Sequence, residues 1–226
     1  MKIYQDFYSS IIYDQRYLYI LKGIGNTLLI SFFAVILGVL LGLFISLVNN
    51  YHKETNKLKV LNWLCNLYVT IIRGTPALLQ LMIIYYLIFK SVDVNLILVG
   101  VLAFGLNSAA YVSEIIKAGI NSIDVGQKEA GYSIGLSYNK VMNNIILPQA
   151  IKNILPALGN EFITLLKETA VAGYIGIMEL TKAGDIIASR TYNYFFPLII
   201  VALIYLILTM GLSKLLKKFE GKLKWC

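Results

Sequence analysis

Long apolar runs alternate with short polar segments along this chain. The first run covers residues 27–48 and contains no charged side chain. Because about 20 mostly apolar residues cross the hydrocarbon core of a bilayer as a helix, this run predicts a membrane-spanning helix. Four further runs predict the remaining crossings, at residues 76–89, 96–116, 154–177 and 194–212. The pattern therefore predicts an all-α polytopic membrane protein with about five transmembrane helices.

The same pattern divides the chain into three regions. Residues 1–26 mix charged side chains with five tyrosines, a composition typical of a helix that lies in the membrane interface. Residues 27–213 form the predicted transmembrane domain, which contains a long polar loop at residues 120–150. Residues 214–226 form a lysine-rich tail. Within the domain, residues 60–72 are apolar and aromatic but too few to cross a bilayer alone.

Composition supports the membrane assignment. The mean hydropathy is +0.71 and 14% of the residues are charged, whereas a soluble domain usually carries about 25% charged residues. A net charge of +8 also suits nucleic-acid binding, but the lysines lie in short loops between apolar runs. Such loops are typical of membrane proteins, so no nucleic-acid partner is expected.

Lysine and arginine are unevenly distributed between the two sides of the predicted bundle. The loops at residues 49–73 and 117–154 and the tail together carry 13 of them, and the opposite side carries 6. Because cytoplasmic loops are enriched in these residues, the richer side is predicted to be cytoplasmic. Five spans then place the N-terminus outside and the C-terminus in the cytoplasm.

The long cytoplasmic loop carries the pattern of two short helices joined by a turn. Asp124 and Gln127 are spaced as a capping box that starts the first helix, and Gly135 is a natural terminator of it. Ser137 is placed to cap the second helix, and Pro148 is expected to limit it. Such an element is able to present a rigid protrusion to a cytoplasmic partner. The alternatives are an ordinary amphipathic loop and, less well supported because the loop is tethered between spans, a DNA-binding motif.

Spaced residues within this loop form a recognisable motif. They are Glu129, Ala130, Gly131, Gly135, Ile145, Leu147 and Pro148. Three residues separate the initial triplet from the glycine, and nine separate that glycine from the isoleucine. The loop resembles the signature loop of bacterial ABC importer permeases, which reads E-A-A, three residues, G, nine residues, I, any residue, L-P. The departure is Gly131, which stands where the family pattern has alanine.

Further segments resemble the polar amino-acid permeases of that family, of the histidine, arginine and glutamine type. Residues 73–80 read R-G-T-P-A-L-L-Q and are similar to an R-G-T-P-x-L-x-Q segment. Residues 110–120 are similar to A-Y-x-x-E-I-x-x-G-G-I, with alanine in place of the first glycine. Residues 159–160 and 165–169 are similar to G-N and L-L-K-D-T segments. The resemblance covers roughly residues 20–215, and the order and spacing of the fragments make it specific.

The resemblance implies a permease subunit of a binding-protein-dependent importer for a polar amino acid in the bacterial inner membrane. Two such subunits, as a homodimer or with a sibling chain, form a pore by which the amino acid crosses the lipid. Two ATPase subunits dock beneath the pore, and an extracytoplasmic binding protein delivers the substrate. ATP and magnesium bind to the ATPase, so no cofactor or metal is expected in this chain. The implied mechanism is alternating access.

In this family the signature loop forms the coupling helix, which sits in a groove of the ATPase. The resemblance assigns this role to Glu129, Ala130, Gly131, Gly135, Leu147 and Pro148. Glu129 is then a charged contact or a local cap, and the small residues permit close approach. The alternative for Glu129 is a solvated helix charge.

Polar residues inside the predicted spans are candidates for the substrate path, because such residues are costly in lipid and usually face the interior of a bundle. The candidates fall into three sets: Asn160, Glu161, Thr164 and Glu168; Asn107, Tyr111 and Glu114; Arg73 and Gln80. The alternative is interhelical ion pairing, such as Arg73 or Lys167 with Glu114 or Glu168. An acidic lining at Glu161 and Glu168 favours a cationic amino acid such as arginine, lysine or histidine.

Two other functional classes fit the sequence less well. A membrane enzyme is disfavoured because the chain contains neither H-E-x-x-H nor G-x-S-x-G. A carrier or channel without an ATPase partner is the second alternative, but carriers usually show two related halves. The chain also lacks G-x-x-x-x-G-K-[ST], so ATP hydrolysis is expected on a separate subunit.

Overall fold

The computed structural model describes residues 2–223, which form ten α-helices and no β-strand. The helices are α1 (Lys2–Phe7), α2 (Tyr17–Thr55), α3 (Lys59–Gly74), α4 (Ala77–Ile83), α5 (Leu96–Asn121), α6 (Val125–Ser133), α7 (Tyr138–Val141), α8 (Leu147–Glu168), α9 (Leu180–Thr191) and α10 (Phe195–Leu223). Short π-helical turns lie at Tyr8–Ile12, Ile84–Ile88 and Met142–Ile146, and 3-10 turns at Tyr13–Gln15 and Thr169–Ile175. The all-α prediction is confirmed.

Three of these helices are long and apolar enough to cross a membrane. They are α2, α5 and α10, which contain the first, third and fifth predicted spans. The fourth predicted span corresponds to α8 and the 3-10 turn after it, and polar side chains make this segment less apolar than the others. Within residues 2–223 the apolar crossings therefore number three, or four if a bent pair of helices is one span.

The bent pair consists of α3 and α4, and the helix direction changes by 111° between them. The apolar segment predicted to be too short to cross alone forms α3, and the second predicted crossing forms α4 and the π-helical turn after it. Pro76 precedes α4 in an extended conformation, with ψ of 137°. Because its ring cannot continue the helix before it, the chain bends here and forms a broken span or a re-entrant segment.

The most extensive helix packing joins α2 to α5. Gly38 and Gly42, four positions apart in α2, lie at this interface, the spacing of small residues that lets two helices approach closely. A Cβ atom on Gly42 would lie 2.7 Å from Val112 and 2.9 Å from the carbonyl oxygen of Ala109. One on Gly38 would lie 2.8 Å from the side chain of Ser108. Only glycine therefore allows these two backbones to approach so closely.

Several buried apolar clusters hold the bundle together, and two of them join α5 to α8. The first joins α2, α4, α5 and α8 around Ile30, Phe104 and Leu165. The second lies towards the long loop and includes Ile116 of α5, Ile146 of the π-helical turn, and residues of α7 and α8. This second cluster gives the loop a hydrophobic attachment to two of the longest helices.

The N-terminal segment packs against the bundle. Ile11 lies in a buried cluster with Leu180 and Val201, and the rings of Phe7 and Phe196 meet edge to face at 5.8 Å. The predicted interfacial segment is thus divided, because α2 already begins at Tyr17. At the other end, α10 continues into the predicted basic tail, whose last three residues, with residue 1, lie outside the described residues.

The connection before α9 is bonded to α2 on the side opposite the long loop. Asn26 Nδ2 donates to the carbonyl oxygen of Met178 at 2.8 Å. The backbone N–H of Leu180 donates to Thr27 Oγ1 at 3.1 Å. Beside them the fully buried carboxylate of Glu179 accepts two backbone N–H bonds of 2.6 Å and caps α9. These bonds fix the start of α9 to the first long helix.

Candidate functional site

The signature loop (residues 124–148) begins with a capped helix. Asp124 precedes α6, and its carboxylate accepts the backbone N–H of Gly126 at 2.6 Å. The predicted cap is therefore present. Gln127 does not complete the predicted box, because its side chain bonds with Gln149 of α8 instead. The first half of the capping box is confirmed and the second half is wrong.

The turn between the two halves of the loop depends on Gly135. Its φ is +80°, in the left-handed region that favours glycine. The N–H of Leu136 donates to the carbonyl oxygen of Gly131 at 3.1 Å, which closes the end of α6. Ser137 follows at the N-cap position of α7, although its side chain makes no capping hydrogen bond. The predicted helix–turn–helix is present.

The second half of the loop does not end at Pro148. The chain stays helical from α7 through a π-helical turn into α8, and Pro148 lies in the first turn of α8. The prediction that proline limits this helix is wrong. A π-helical turn widens the helix, and this widening directly before Pro148 accommodates its ring without a break.

Gly131 is buried inside the loop. A Cβ atom there would lie 2.8 Å from Val141 and 3.2 Å from Ile145. Because Gly131 has no side chain, α6 is able to pack closely on the second half of the loop. This position faces the protein, whereas the neighbouring Glu129 and Ala130 are exposed.

The outward face of α6 is mainly apolar. Val125 is 65% exposed and Ile134 at the turn is 75% exposed. Glu129 contributes one carboxylate and Ala130 a small surface between them. Such a face, with large apolar side chains presented to the outside, is typical of a protein contact. Of the other two loop candidates, Leu147 is half-buried and Pro148 is exposed.

Polar contacts attach α6 to two long helices. Lys128 Nζ lies 3.9 Å from a carboxylate oxygen of Glu54, near the end of α2. Gln127 and Gln149 exchange two hydrogen bonds, of 3.1 and 2.5 Å. Burial, together with the negative charge of Glu54, raises the pKa of the nearby Tyr138. The loop is thus a preformed unit that is fixed to α2 and α8.

The polar face of α8 carries two carboxylates. Ser108 Oγ of α5 donates to Glu161 Oε1 at 2.9 Å, which orients this carboxylate. Glu161 and Glu168 are half-buried, and Asn160 and Thr164 on the same face are exposed. Neither carboxylate forms an ion pair with any described residue. This face therefore presents two carboxyl groups without an ion-pair partner among the described residues, together with hydrogen-bonding groups.

Arg73 and Glu114 form the ion pair considered as an alternative to a path role. Their closest nitrogen and oxygen atoms are 3.2 Å apart, and Lys117 lies equally close to the other oxygen. The Arg73 guanidinium also lies 5.8 Å from the ring centroid of Tyr111. The structure thus brings these three candidates together as one cluster. Lys167 forms no ion pair with the described residues.

Gln80 and Asn107 are also brought together, but inside the protein. Asn107 Nδ2 donates to Gln80 Oε1 at 2.9 Å, and both side chains are buried. Gln80 Nε2 points to the carbonyl oxygen of Ile72 at 2.7 Å and to the carbonyl and hydroxyl oxygens of Thr75 at 3.0 and 2.8 Å. These bonds hold the bend between α3 and α4 against α5.

Several contributing residues were not singled out from the sequence. Ser108 lies in a stretch of small residues in α5, which gave no sign that its hydroxyl meets Glu161. Gln149 follows the L-P pair of the motif, but its partner is 22 positions away. Glu54 belongs to a polar segment that looked like a loop and instead ends α2. Such pairs depend on tertiary packing, which a local pattern does not contain.

A helical membrane bundle with a projecting helix–turn–helix loop and a polar face in a central helix defines a membrane permease. Residues 34–224 match the family described as binding-protein-dependent transport system inner membrane component, and the chain belongs to this family.

Two curated relatives and one solved structure are similar over nearly the whole chain. The Putative glutamine transport system permease protein GlnP of Rickettsia typhi is 44% identical over 92% of this chain and 94% of its own length. The Arginine transport system permease protein ArtQ of Bacillus subtilis is 43% identical over 91% and 93%. A crystal structure of an amino acid ABC transporter with histidines matches with a TM-score of 0.83 and 46% identity, over 90% and 94% of the two chains.

These findings confirm the predicted family, fold and location. The chain is an inner-membrane permease component of an amino-acid ABC transporter. Membership of a binding-protein-dependent family implies partnership with an ATPase and a substrate-binding protein, and it argues against a carrier that works alone. The relatives are transport permeases, in agreement with a chain that is not itself an enzyme.

Proposed function

We propose that this chain imports a cationic amino acid by alternating access. The observation that carries this proposal is the α8 face, where Glu161 and Glu168 lie half-buried and without a basic partner among the described residues. Charge inside a membrane protein is costly unless it is compensated. A guanidinium or ammonium group of the substrate compensates these carboxylates, and Ser108 holds one of them in place.

The names of the relatives support a polar amino acid but differ on its charge. One relative is named for glutamine and the other for arginine. A neutral side-chain amide gains less from a carboxylate than a cation does, because hydrogen bonds between two charged groups are the stronger ones. The acidic face therefore favours arginine, lysine or histidine over glutamine.

In this proposal the motion driven by ATP enters the permease at the outward face of α6. An ATPase docks there on Val125, Glu129 and Ile134, and a second ATPase docks on a second permease subunit, which is another copy or a sibling chain. ATP and magnesium bind to the ATPases. Closure of the ATPases moves α6, and the bundle opens towards the binding protein on the other side. In this topology the signature loop and the C-terminus are cytoplasmic and the N-terminus is outside.

Uptake by reconstituted complexes tests the substrate. The permease, its ATPase and its binding protein are placed in proteoliposomes, and radiolabelled arginine, lysine, histidine and glutamine are compared. We expect uptake of the cationic amino acids, and a loss of about tenfold in Glu161→Gln, because a charge-assisted contact is removed. Asp93→Asn, at an exposed position before α5, is the matched control. Unchanged uptake in Glu161→Gln, or preference for glutamine, overturns the cationic assignment.

Copurification tests the docking face. Glu129→Lys reverses the one charge on the outward face of α6, and Asp93→Lys makes the same change in a different loop. We expect the ATPase to copurify with the control but not with Glu129→Lys. Equal recovery of the ATPase by both variants contradicts docking at Glu129.

A further inference from the structure

The contact between α6 and α8 is a matched pair of side-chain amides. Gln127 Nε2 donates to Gln149 Oε1 at 3.1 Å, and Gln149 Nε2 donates back to Gln127 Oε1 at 2.5 Å. Each amide thus supplies one donor and one acceptor to the other. A glutamine side chain is suited to this exchange because it carries both kinds of group.

Gln149 is fixed further by the π-helical turn before it. Its Nε2 also donates to the carbonyl oxygen of Ile145 at 2.7 Å. Both hydrogens of this amide nitrogen are therefore used, one on α6 and one on the turn that leads into α8. The side chain of Gln149, which belongs to α8, thus bonds to both α6 and the π-helical turn.

The other contacts of α6 with described residues reach α7, the π-helical turn and α2, and not α8 itself. Gly131 packs on Val141 and Ile145, within the loop itself. Lys128 reaches Glu54 of α2 at 3.9 Å, the limit of an ion pair. The amide pair is therefore the direct polar connection between α6 and α8 in the described part of the chain.

Helix α8 is also the helix that carries the acidic face. Glu161 lies 12 positions after Gln149, which is about 18 Å along a helix. We propose that Gln127 and Gln149 are the positioning residues through which a displacement of α6 moves α8 and its acidic face. This inference rests on the proposed function, in which α6 receives the motion of the ATPase. It adds the contact that passes this motion to the substrate path.

The ratio of amino acid imported to ATP hydrolysed tests this role. Gln127→Leu removes the pair while the outward face of α6 is kept. We expect the ATPase to copurify and ATP hydrolysis to continue, whereas the amino acid imported per ATP falls about tenfold. A residue that only stabilised the fold would lower import and hydrolysis together and leave their ratio unchanged.

Asn153→Leu is the matched control. Asn153 lies one turn further along α8 and donates to Ser122 Oγ at 2.8 Å, at the end of α5. This substitution also removes a side-chain hydrogen bond of α8 but leaves α6 untouched. We expect its import per ATP to equal that of the unmodified chain. An equal loss of the ratio in both variants contradicts the proposal.

A compensating pair keeps the test decisive if Gln127→Leu does not fold. Gln127→Glu alone places an acceptor opposite the acceptor oxygen of Gln149, and adding Gln149→Lys supplies donors to it. We expect the double variant to recover the import ratio that Gln127→Glu loses. Failure to recover it, in a complex that assembles and hydrolyses ATP, overturns the inference. Loss of ATPase binding by the unmodified chain instead overturns the proposed function.

Discussion

Asn107 of α5 donates a 2.9 Å hydrogen bond to the side-chain oxygen of Gln80, and through it the bend between α3 and α4 is fixed to a central helix. Gln80 also bonds on its other side to Ile72 and Thr75, the residues before the bend. The broken helix pair thus has a defined shape because one buried side chain satisfies both sides of the break.

Gln80→Leu should lower the stability of the bundle. The change leaves the Asn107 amide and the carbonyl oxygens near the bend without their partner, at a cost of about 1–3 kcal/mol in the free energy of unfolding. Thermal unfolding in detergent measures the loss. Gln5→Leu, at an exposed position of α1, is the control and should unfold at the same temperature as the unmodified chain. Equal unfolding temperatures for the two variants would show that the buried bonds matter little.

Gly42→Ala should separate α2 from α5. The added methyl group lies 2.9 Å from the carbonyl oxygen of Ala109. A backbone oxygen cannot move away without a shift of the helix that carries it. We expect a cost of about 1–3 kcal/mol, as for overpacking in a well-packed core. Gly25→Ala in the same helix is the control, because no atom lies within 4 Å of its added Cβ. Its thermal unfolding should match or exceed that of the unmodified chain, and a similar loss in both would point to a general effect of alanine.

Gly131→Ala should loosen the signature loop, and Val141→Ala should restore it. The added Cβ lies 2.8 Å from the Val141 side chain, which therefore has to shift. Shortening Val141 makes the space. Amide hydrogen exchange of α6 should accelerate in the single variant Gly131→Ala and return towards its original rate in the double variant. Unchanged exchange in the single variant would contradict the packing role of this glycine.

Arg73→Gln should have a much smaller effect than Gln80→Leu, although both residues lie near the same bend. The Arg73 and Glu114 side chains are 45% and 34% exposed, so their ion pair is screened by its surroundings. Exposed pairs contribute less than about 1 kcal/mol. The two variants are compared by thermal unfolding under identical conditions. A loss for Arg73→Gln as large as that for Gln80→Leu would contradict this order.

The features predictable from the sequence are those that local chemistry decides. Asp124 caps α6 because its short carboxylate reaches the nearby N–H, and Gly135 ends α6 because it adopts a positive φ. The close approach at Gly38 and Gly42 follows from the spacing of small residues in one helix. Each of these predictions needs only a few neighbouring positions.

The features that could not be predicted depend on tertiary contacts. Pro148 looks like a helix end, but the π-helical turn before it lets the helix continue. Gln127 has the spacing of a capping-box residue, yet its side chain makes two hydrogen bonds with Gln149 instead of capping α6. Pro76 marks the start of the second predicted span in the sequence. The bend at this position is held by Gln80 and its partners, which are distant in the sequence.

The 39 residues of α2 make a rod about 58 Å long, nearly twice the roughly 30 Å thickness of the hydrocarbon core. Near one end, Asn26 and Thr27 form hydrogen bonds with the chain around the start of α9. Near the other end, Glu54 forms an ion pair with Lys128 of α6. A single continuous helix of this length therefore contacts the connection before α9 at one end and the signature loop at the other. The two ends of the bundle are thus joined by one uninterrupted helix, with no loop between the two contacts.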